Sequence, residues 1–570
     1  MRAGQLHLPE PNDTLVYQDG VSLQSGMEMK MALRFLVLLA IPLAAASCLE
    51  PPKGSGTADV PGRQEDAQDG TGRGVDALGD GSGPGTDGAC IPACNGLECG
   101  PDSCGGSCGD CDEPLFCFYG QCVELGTECL DPNVNDRNDG CHGGRISDYQ
   151  VNTHVTGDQF APVVTSMAEG EYVVAWSSCP FRDNPEGTDE FAQDGSACGV
   201  FLRPFTQDGS PQVSIDLPAT AATTGAQWSP GMGPANDGFV LAWNSEGQDG
   251  WRTWFRIWNW DALEGQWEAT PAAEDIQAAL RNVDSASLVA AASGDSAHDF
   301  VVAWEGDLPD GGTGILARHF GRDTKVFETI LEDDQDMVLG SGYNDVDAPA
   351  AVGLNSNLYA VLWEALPKED PLKPDQGSDV FGIVRRYDGQ PLETAGPYAA
   401  PFALHKSWLG GQRTPSGVSD DYGNSLVVAF AGTSDEGILV RRFVIAEASA
   451  VPESSISAQP DFEPISPQIT RLTDGRFVVV WQTNGMEDDP SGAIFARILG
   501  ADLKPQGAPV HVNSYTFDWQ QKPQVAALPA GGFVVVWESC CHQDGSGWGV
   551  FAKRFDSGAT PVPFTSAQGR

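Results

Sequence analysis

The chain has 570 residues and carries 79 acidic against 32 basic side chains, a formal net charge of -47 that repels phosphate backbones and anionic lipid surfaces. Nucleic acid is thereby excluded as a partner. Its 68 glycines and 40 prolines, with only 19% charged residues, point to a turn-rich β protein, and fifteen closely spaced cysteines point away from a reducing cytosol.

Residues 1–30 hold neither a targeting pattern nor a periodic core, and Met27, Met29 and Met31 stand just before an apolar run, so translation is expected to begin at one of them. The run from Leu33 to Ala46 is interrupted only by Arg34 and Pro42, follows Lys30 and ends in Ala45-Ala46-Ser47-Cys48. It is too short for a membrane span, which needs about 20 apolar residues. Its basic flank and small-residue end suit a signal peptide over residues 31–47. The last four residues resemble the lipobox of bacterial lipoproteins. That resemblance implies diacylation of Cys48 and an anchor in the outer membrane, Leu49 being similar to the outer-membrane class. The alternative is ordinary cleavage, with Cys48 left for a disulfide. Export follows in either case, to the cell surface or the periplasmic face.

Residues 48–89 are Gly, Asp, Pro, Ser and Thr with scarcely a large apolar side chain, too little to offset ordering entropy, and read as a tether. A cysteine module over residues 90–145 follows. Cys90, Cys94, Cys99, Cys104, Cys108, Cys111, Cys117 and Cys122 contain no histidine among them, so four disulfides are favoured over tetrahedral zinc. The run CNGLECGPDSCGGSCGDC resembles Cys-rich modules of secreted and surface proteins from Gram-negative predatory and social gliding bacteria, which implies location rather than chemistry. Cys129 and Cys141 are expected to close a further loop. Within it Asp131, Asn133 and Asn135 alternate as oxygen ligands do in a calcium loop, although Asp136 replaces the expected glycine and no glutamate closes the site. No cofactor is expected, and calcium is the one ion this pattern would suit.

From residue 146 onward an apolar anchor recurs seven times, at Tyr172–Trp176, Phe239–Trp243, Phe300–Trp304, Tyr359–Trp363, Leu426–Phe430, Phe477–Trp481 and Phe533–Trp537, with a period of about 60 residues. Downstream of each anchor a basic residue stands two places before a large apolar one: Arg203, Arg256, Arg318, Arg385, Arg441, Arg497 and Lys553. Proline-led segments at Pro162, Pro349, Pro467 and Pro523 precede anchors, and Val-Asn strands at Val151-Asn152 and Val512-Asn513 bring the count to four short strands per repeat. Anchors apolar at every position suit strands covered on both faces. The expected fold is all-β, a seven-bladed β-propeller over residues 146–570. The repeats resemble those of bacterial surface repeat proteins, which implies an extracellular setting. A monomer is expected. Cys179 is expected to pair with Cys198, and Cys540 with Cys541.

If the proline segment is innermost, the loops after the anchors and those entering each repeat share one face, where loop lengths vary most and a ligand would sit. Gln159, Gln227, Gln412 and Gln520, with Trp228, Trp408 and Trp519, are the candidate ligand-binding residues there, suited to holding sugar rings by hydrogen bonds and stacking. Trp251, Trp254, Trp258, Trp260 and Trp267 read as packing, and the seven basic residues as ion pairs or cations over anchor tryptophans between blades. No GxSxG, HExxH, phosphate loop or sialidase-type SxDxGxTW box is present, so no catalytic residue is assigned. The expected function is a surface binding or adhesion module for a glycan or protein. The alternatives are a polysaccharide hydrolase with unrecognised channel carboxylates and a purely structural envelope protein.

Overall fold

A computed structural model describes residues 148–564 apart from short stretches, the longest being 181–192, 367–376, 388–396 and 484–491, together with two strands further upstream. Those two, Leu115–Phe118 and Gln121–Glu124, form a hairpin that sets Cys117 directly opposite Cys122. Cys48, Cys90, Cys94, Cys99, Cys104, Cys108, Cys111, Cys129 and Cys141, and the Asp131, Asn133 and Asn135 pattern, lie outside the described residues.

Seven antiparallel sheets follow, each of four or five strands. Their inner strands are Asp158–Ser166, Gln227–Ala235, Val289–Ser293, Asp345–Asn355, Arg413–Ser419, Pro464–Arg471 and Gln520–Ala527, called blades 1 to 7 in that order. Each inner strand packs on the next, and that of blade 7 packs on that of blade 1, so the ring closes into a seven-bladed propeller. The outer strand of blade 7 is supplied by Tyr149–Gln150, from the start of the repeat region. The Val-Asn strands read as the first of each repeat are therefore the outermost of the blade before, and the sequence repeat is offset from the blade by one strand.

Burial explains the anchors. Every residue of Tyr172–Cys179, Ser425–Ala431, Phe477–Thr483 and Phe533–Ser539 is buried. Side chains alternate along a strand, so Tyr172, Val174 and Trp176 pack with blade 7, while Val173 and Ala175 pack with Leu241 and Trp243 of blade 2. The interior is thus a series of cores between neighbouring blades, each filled half from one anchor and half from the next. Truncating one wholly buried anchor tryptophan such as Trp304 would remove about 3–5 kcal/mol.

The second sequence register also has a physical cause. In six blades the large residue after the basic one is the cross-strand partner of the residue that opens the anchor, and aromatic pairs stack: Tyr172 on Phe205 at 5.1 Å, Phe300 on Phe320 at 5.2 Å and Phe533 on Phe555 at 5.0 Å between centroids; in blade 4 Tyr359 faces Arg385 instead. The basic side chains reach back to the preceding blade, where Arg203 donates to the Val151 carbonyl at 2.8 Å, Arg441 to Leu404 at 3.0 Å and Lys553 to Val512 at 2.7 Å. Ion pairs of the expected kind join Arg256 to Asp275 and Lys553 to Asp148, each at 3.0 Å. Among the described residues, two of these seven cations lie over a ring, Arg203 over Phe205 and Arg441 over Phe443, each of the same strand rather than an anchor tryptophan.

Candidate functional site

Register fixes which loops share a face. Asp158 pairs with Cys179, Gln227 with Ser245, Asp345 with Leu366, Pro464 with Thr483 and Gln520 with Ser539. The start of each inner strand therefore meets the end of its anchor strand, and both chain segments emerge on one face, called here the entry face.

Six inner strands break register at the same point, where a proline would deprive the ladder of a donor. The residue before each of those prolines, Ala161, Ser229, Ala348, Thr414, Ser466 or Lys522, has φ between 47° and 54°, in the left-handed region. A non-glycine residue there needs compensation. At four of the six the preceding blade provides it through the side chain that follows its anchor aromatic. Glu538 accepts from the Ala161 amide at 2.8 Å, Ser177 from Ser229 at 3.1 Å, Glu364 from Thr414 at 3.0 Å and Gln482 from Lys522 at 3.2 Å. These polar caps were missed in the sequence. Their signal was a Ser, Asn, Glu or Gln directly after six of the seven anchors.

Each bulge sets the residue two places before its proline at the rim of the entry face, opposite the residue that follows the anchor of its own blade. These rim residues are Phe160, Trp228, Asp347, Arg413, Ile465 and Gln521. One backbone thus presents six different side chains. Asp347 and Arg413 are exposed and Phe160 is buried against the Cys179–Cys198 disulfide.

That disulfide is formed, as the sequence suggests, with the Cα atoms 4.1 Å apart. Cys540 is also disulfide-bonded, and Cys541 lies outside the described residues. Trp228 packs on the Cys179–Cys198 bridge and stacks on Trp251 at 5.7 Å between centroids and 19° between planes, both indoles being half-buried. Trp251, read with its neighbours as packing, does pack against the core between blades 2 and 3, on the opposite strand face from Trp254 and Trp258. Trp258 and Trp267 are indeed core, against Phe239.

The four glutamines require a correction. Gln159, Gln227, Gln412 and Gln520 are wholly buried, inside the wall between blades rather than on the open face. Backbone amides of the first three bond carbonyls of the preceding blade, Trp548 at 2.7 Å, Cys198 at 2.8 Å and Ser378 at 2.7 Å. Gln159 accepts from Asn152 at 3.1 Å, and Gln520 accepts from the indole of Trp537 at 3.1 Å. Trp519 is half-buried beside Gln520, and Trp408 lies outside the described residues.

Charge is uneven around the rim. In blade 7 the cap Glu538 is wholly buried and bonded by its cross-strand neighbour Gln521, with the exposed Lys522 ammonium at 3.4 Å. In blade 4 the cap Glu364 faces a second carboxylate, Asp347. Burial foremost, with a contribution from Asp347, pushes Glu364 up to about 7, against the opposing influence of the Thr414 amide, Ser378 hydroxyl and Arg413 guanidinium. Among the described residues no group of three or more His, Cys, Asp or Glu side chains is placed to hold a metal ion.

Replacing Glu538 by alanine is expected to lower stability by about 2–4 kcal/mol, because the buried Ala161 amide and Gln521 amide lose their acceptor. Replacement by glutamine, which serves as the cap in blade 6, should cost far less. Urea midpoints of the two variants check this, and equal losses would remove the capping role.

No protein family and no curated protein matches the chain. Solved structures that resemble it include a protein of unknown function from Dyadobacter fermentans, 12% identical over 72% of this chain and 97% of that one, with a TM-score of 0.41. A Mycobacterium tuberculosis puromycin-hydrolyzing peptidase is 13% identical over 74% of this chain and 57% of its own, with a TM-score of 0.41. A Penicillium chrysogenum alpha-L-arabinanase is 11% identical over 72% and 99%, with a TM-score of 0.38. At these values the likeness carries no argument about chemistry.

Proposed function

We propose that the protein is a glycan-recognition module that takes its ligand on the entry face, with the Trp228–Trp251 stack as the platform for a sugar ring. The observation that carries this reading is the pair itself. Two half-buried indoles stack at 5.7 Å, Trp228 resting on a disulfide and Trp251 on the core between blades 2 and 3, at a rim position where the same backbone elsewhere bears unrelated side chains. Rigid aromatic surface binds with little loss of side-chain entropy. The core tryptophans have no such freedom, because their faces are spent between blades. The leader and Cys48 support export and lipid anchoring, with the propeller displayed from the membrane. A glycan, rather than a nucleic acid or an anionic lipid, is the ligand compatible with a net charge of -47.

A glycan array, probed with and without calcium, tests the reading. Trp228→Ala and Trp251→Ala should each weaken binding about tenfold, as loss of one aromatic contact of about 1–1.5 kcal/mol requires. Near-ultraviolet circular dichroism reports that the blades remain packed. Variants that bind as wild type does, or a wild-type chain that retains no glycan, would overturn the proposal.

A further inference from the structure

One backbone arrangement holds three of the rim residues. On either side of each, an amide bonds to the preceding blade. Around Trp228, Gln227 donates to the Cys198 carbonyl at 2.8 Å and Ser229 to the Ser177 hydroxyl at 3.1 Å. Around Phe160, Gln159 donates to Trp548 at 2.7 Å and Ala161 to Glu538 at 2.8 Å. Around Arg413, Gln412 donates to Ser378 at 2.7 Å and Thr414 to Glu364 at 3.0 Å. Arg413 is nevertheless exposed, so the paired amides fix the backbone of a rim residue and not the seat of its side chain. At Trp228 blade 1 supplies a seat as well. Trp228 and Ala226 pack on the Cys179–Cys198 bridge, whose cysteines are buried at 4% and 9% exposure.

We propose that Cys179, Cys198 and Ser177 are positioning residues for the sugar platform, the bridge setting the ring of Trp228 against Trp251 and the Ser177 hydroxyl setting the backbone that carries it. The inference rests on the glycan reading of that stack. Ser229, next to Trp228, holds φ at 54° and takes its compensating acceptor from Ser177, so the direction in which Trp228 leaves the chain is decided in blade 1. Trp251 has its own seat on the core between blades 2 and 3. It is also tied to the bridge, because Ala226 accepts the Glu246 amide at 2.9 Å and Glu246 faces Trp251 across the strands. A closed disulfide has a narrowly defined geometry. A ring resting on it meets a ligand already ordered, which spares the entropy of immobilising a side chain on binding. The bridge also closes a loop, its cysteines 19 residues apart, and that role alone would lower stability on removal without disturbing the ring.

Three variants of the full chain test the assignment: Cys179→Ala with Cys198→Ala, Ser177→Ala, and Ser177→Thr, which keeps the hydroxyl. Stacked indoles couple their transitions, so the circular dichroism couplet that Trp228→Phe abolishes reports the stack without any ligand. Retention of neutral glycans on the array is measured beside it, below the melting temperature of each variant. The bridge variant is expected to lose the couplet and to bind about tenfold more weakly, as Trp228→Ala does, because the contact of that ring is all that positioning can forfeit. Adding Trp228→Ala to the bridge variant should cost nothing further, since coupled residues are not additive. Ser177→Ala should weaken both readouts and Ser177→Thr restore them. A couplet that survives removal of the bridge, or losses that add in the combined variant, would overturn positioning and leave the glycan reading in place. A wild-type chain that retains no glycan, yet loses its couplet with the bridge, would remove the glycan reading and keep the bridge as what orders the stack.

Discussion

The Asp148→Ala chain is expected to lose about 3–5 kcal/mol of stability, the cost of leaving one partner of a buried ion pair alone. Asp148 is buried at 3% exposure and receives the Lys553 ammonium at 3.0 Å, the Ser514 amide at 2.8 Å and the Tyr515 amide at 3.0 Å. It precedes Tyr149–Gln150, the two-residue strand that closes the ring on blade 7. Hence the same substitution weakens an ion pair and the closure of the propeller together. Asp148→Asn keeps acceptors for the amides but not the charge, and should fall between the two. Urea midpoints measure this series. A wild-type midpoint for Asp148→Ala would show that the closing strand needs no clasp.

Glu364→Gln is expected to change stability in a pH-dependent manner. In the unfolded chain the carboxyl titrates near the ordinary value of 4.5, and in the fold at about 7. Below about pH 4.5 both states hold the proton and the two chains should be equally stable. As pH rises through 4.5 toward 7, the unfolded state ionises first, and the wild-type chain loses stability relative to the amide. Above 7 the deficit is constant, on the order of 3–4 kcal/mol from about 1.4 kcal/mol per unit. Thermal melts of both chains at pH 4, 6 and 8 would reveal the divergence. Parallel curves would mean that water reaches the carboxylate freely.

Legibility followed the range of the forces. The anchors were readable because a strand covered on both faces must be apolar throughout, as Phe533–Ser539 is up to Trp537. The basic and aromatic register was readable because cross-strand partners such as Tyr172 and Phe205 recur with the period. The glutamines misled because position in a repeat indicates the face a strand end lies on, but not whether a side chain turns outward or into the next blade. Gln159 turns inward to meet Asn152. Trp251 was passed over among a crowd of tryptophans, since its parity mattered only once Trp228 was known to lie beside it.

The sequence by itself determined the all-β class, the number of repeats, the Cys179–Cys198 bridge and the face on which loops gather, because each depends on local periodicity or on burial that every repeat shares. Only the tertiary structure decided that the first strand belongs to the last blade, that the polar residue after four of the anchors caps its neighbour's bulge, and that Asp347 stands opposite Glu364. Those are contacts between segments whose separation in sequence has no fixed spacing, and they exist only once the ring is closed.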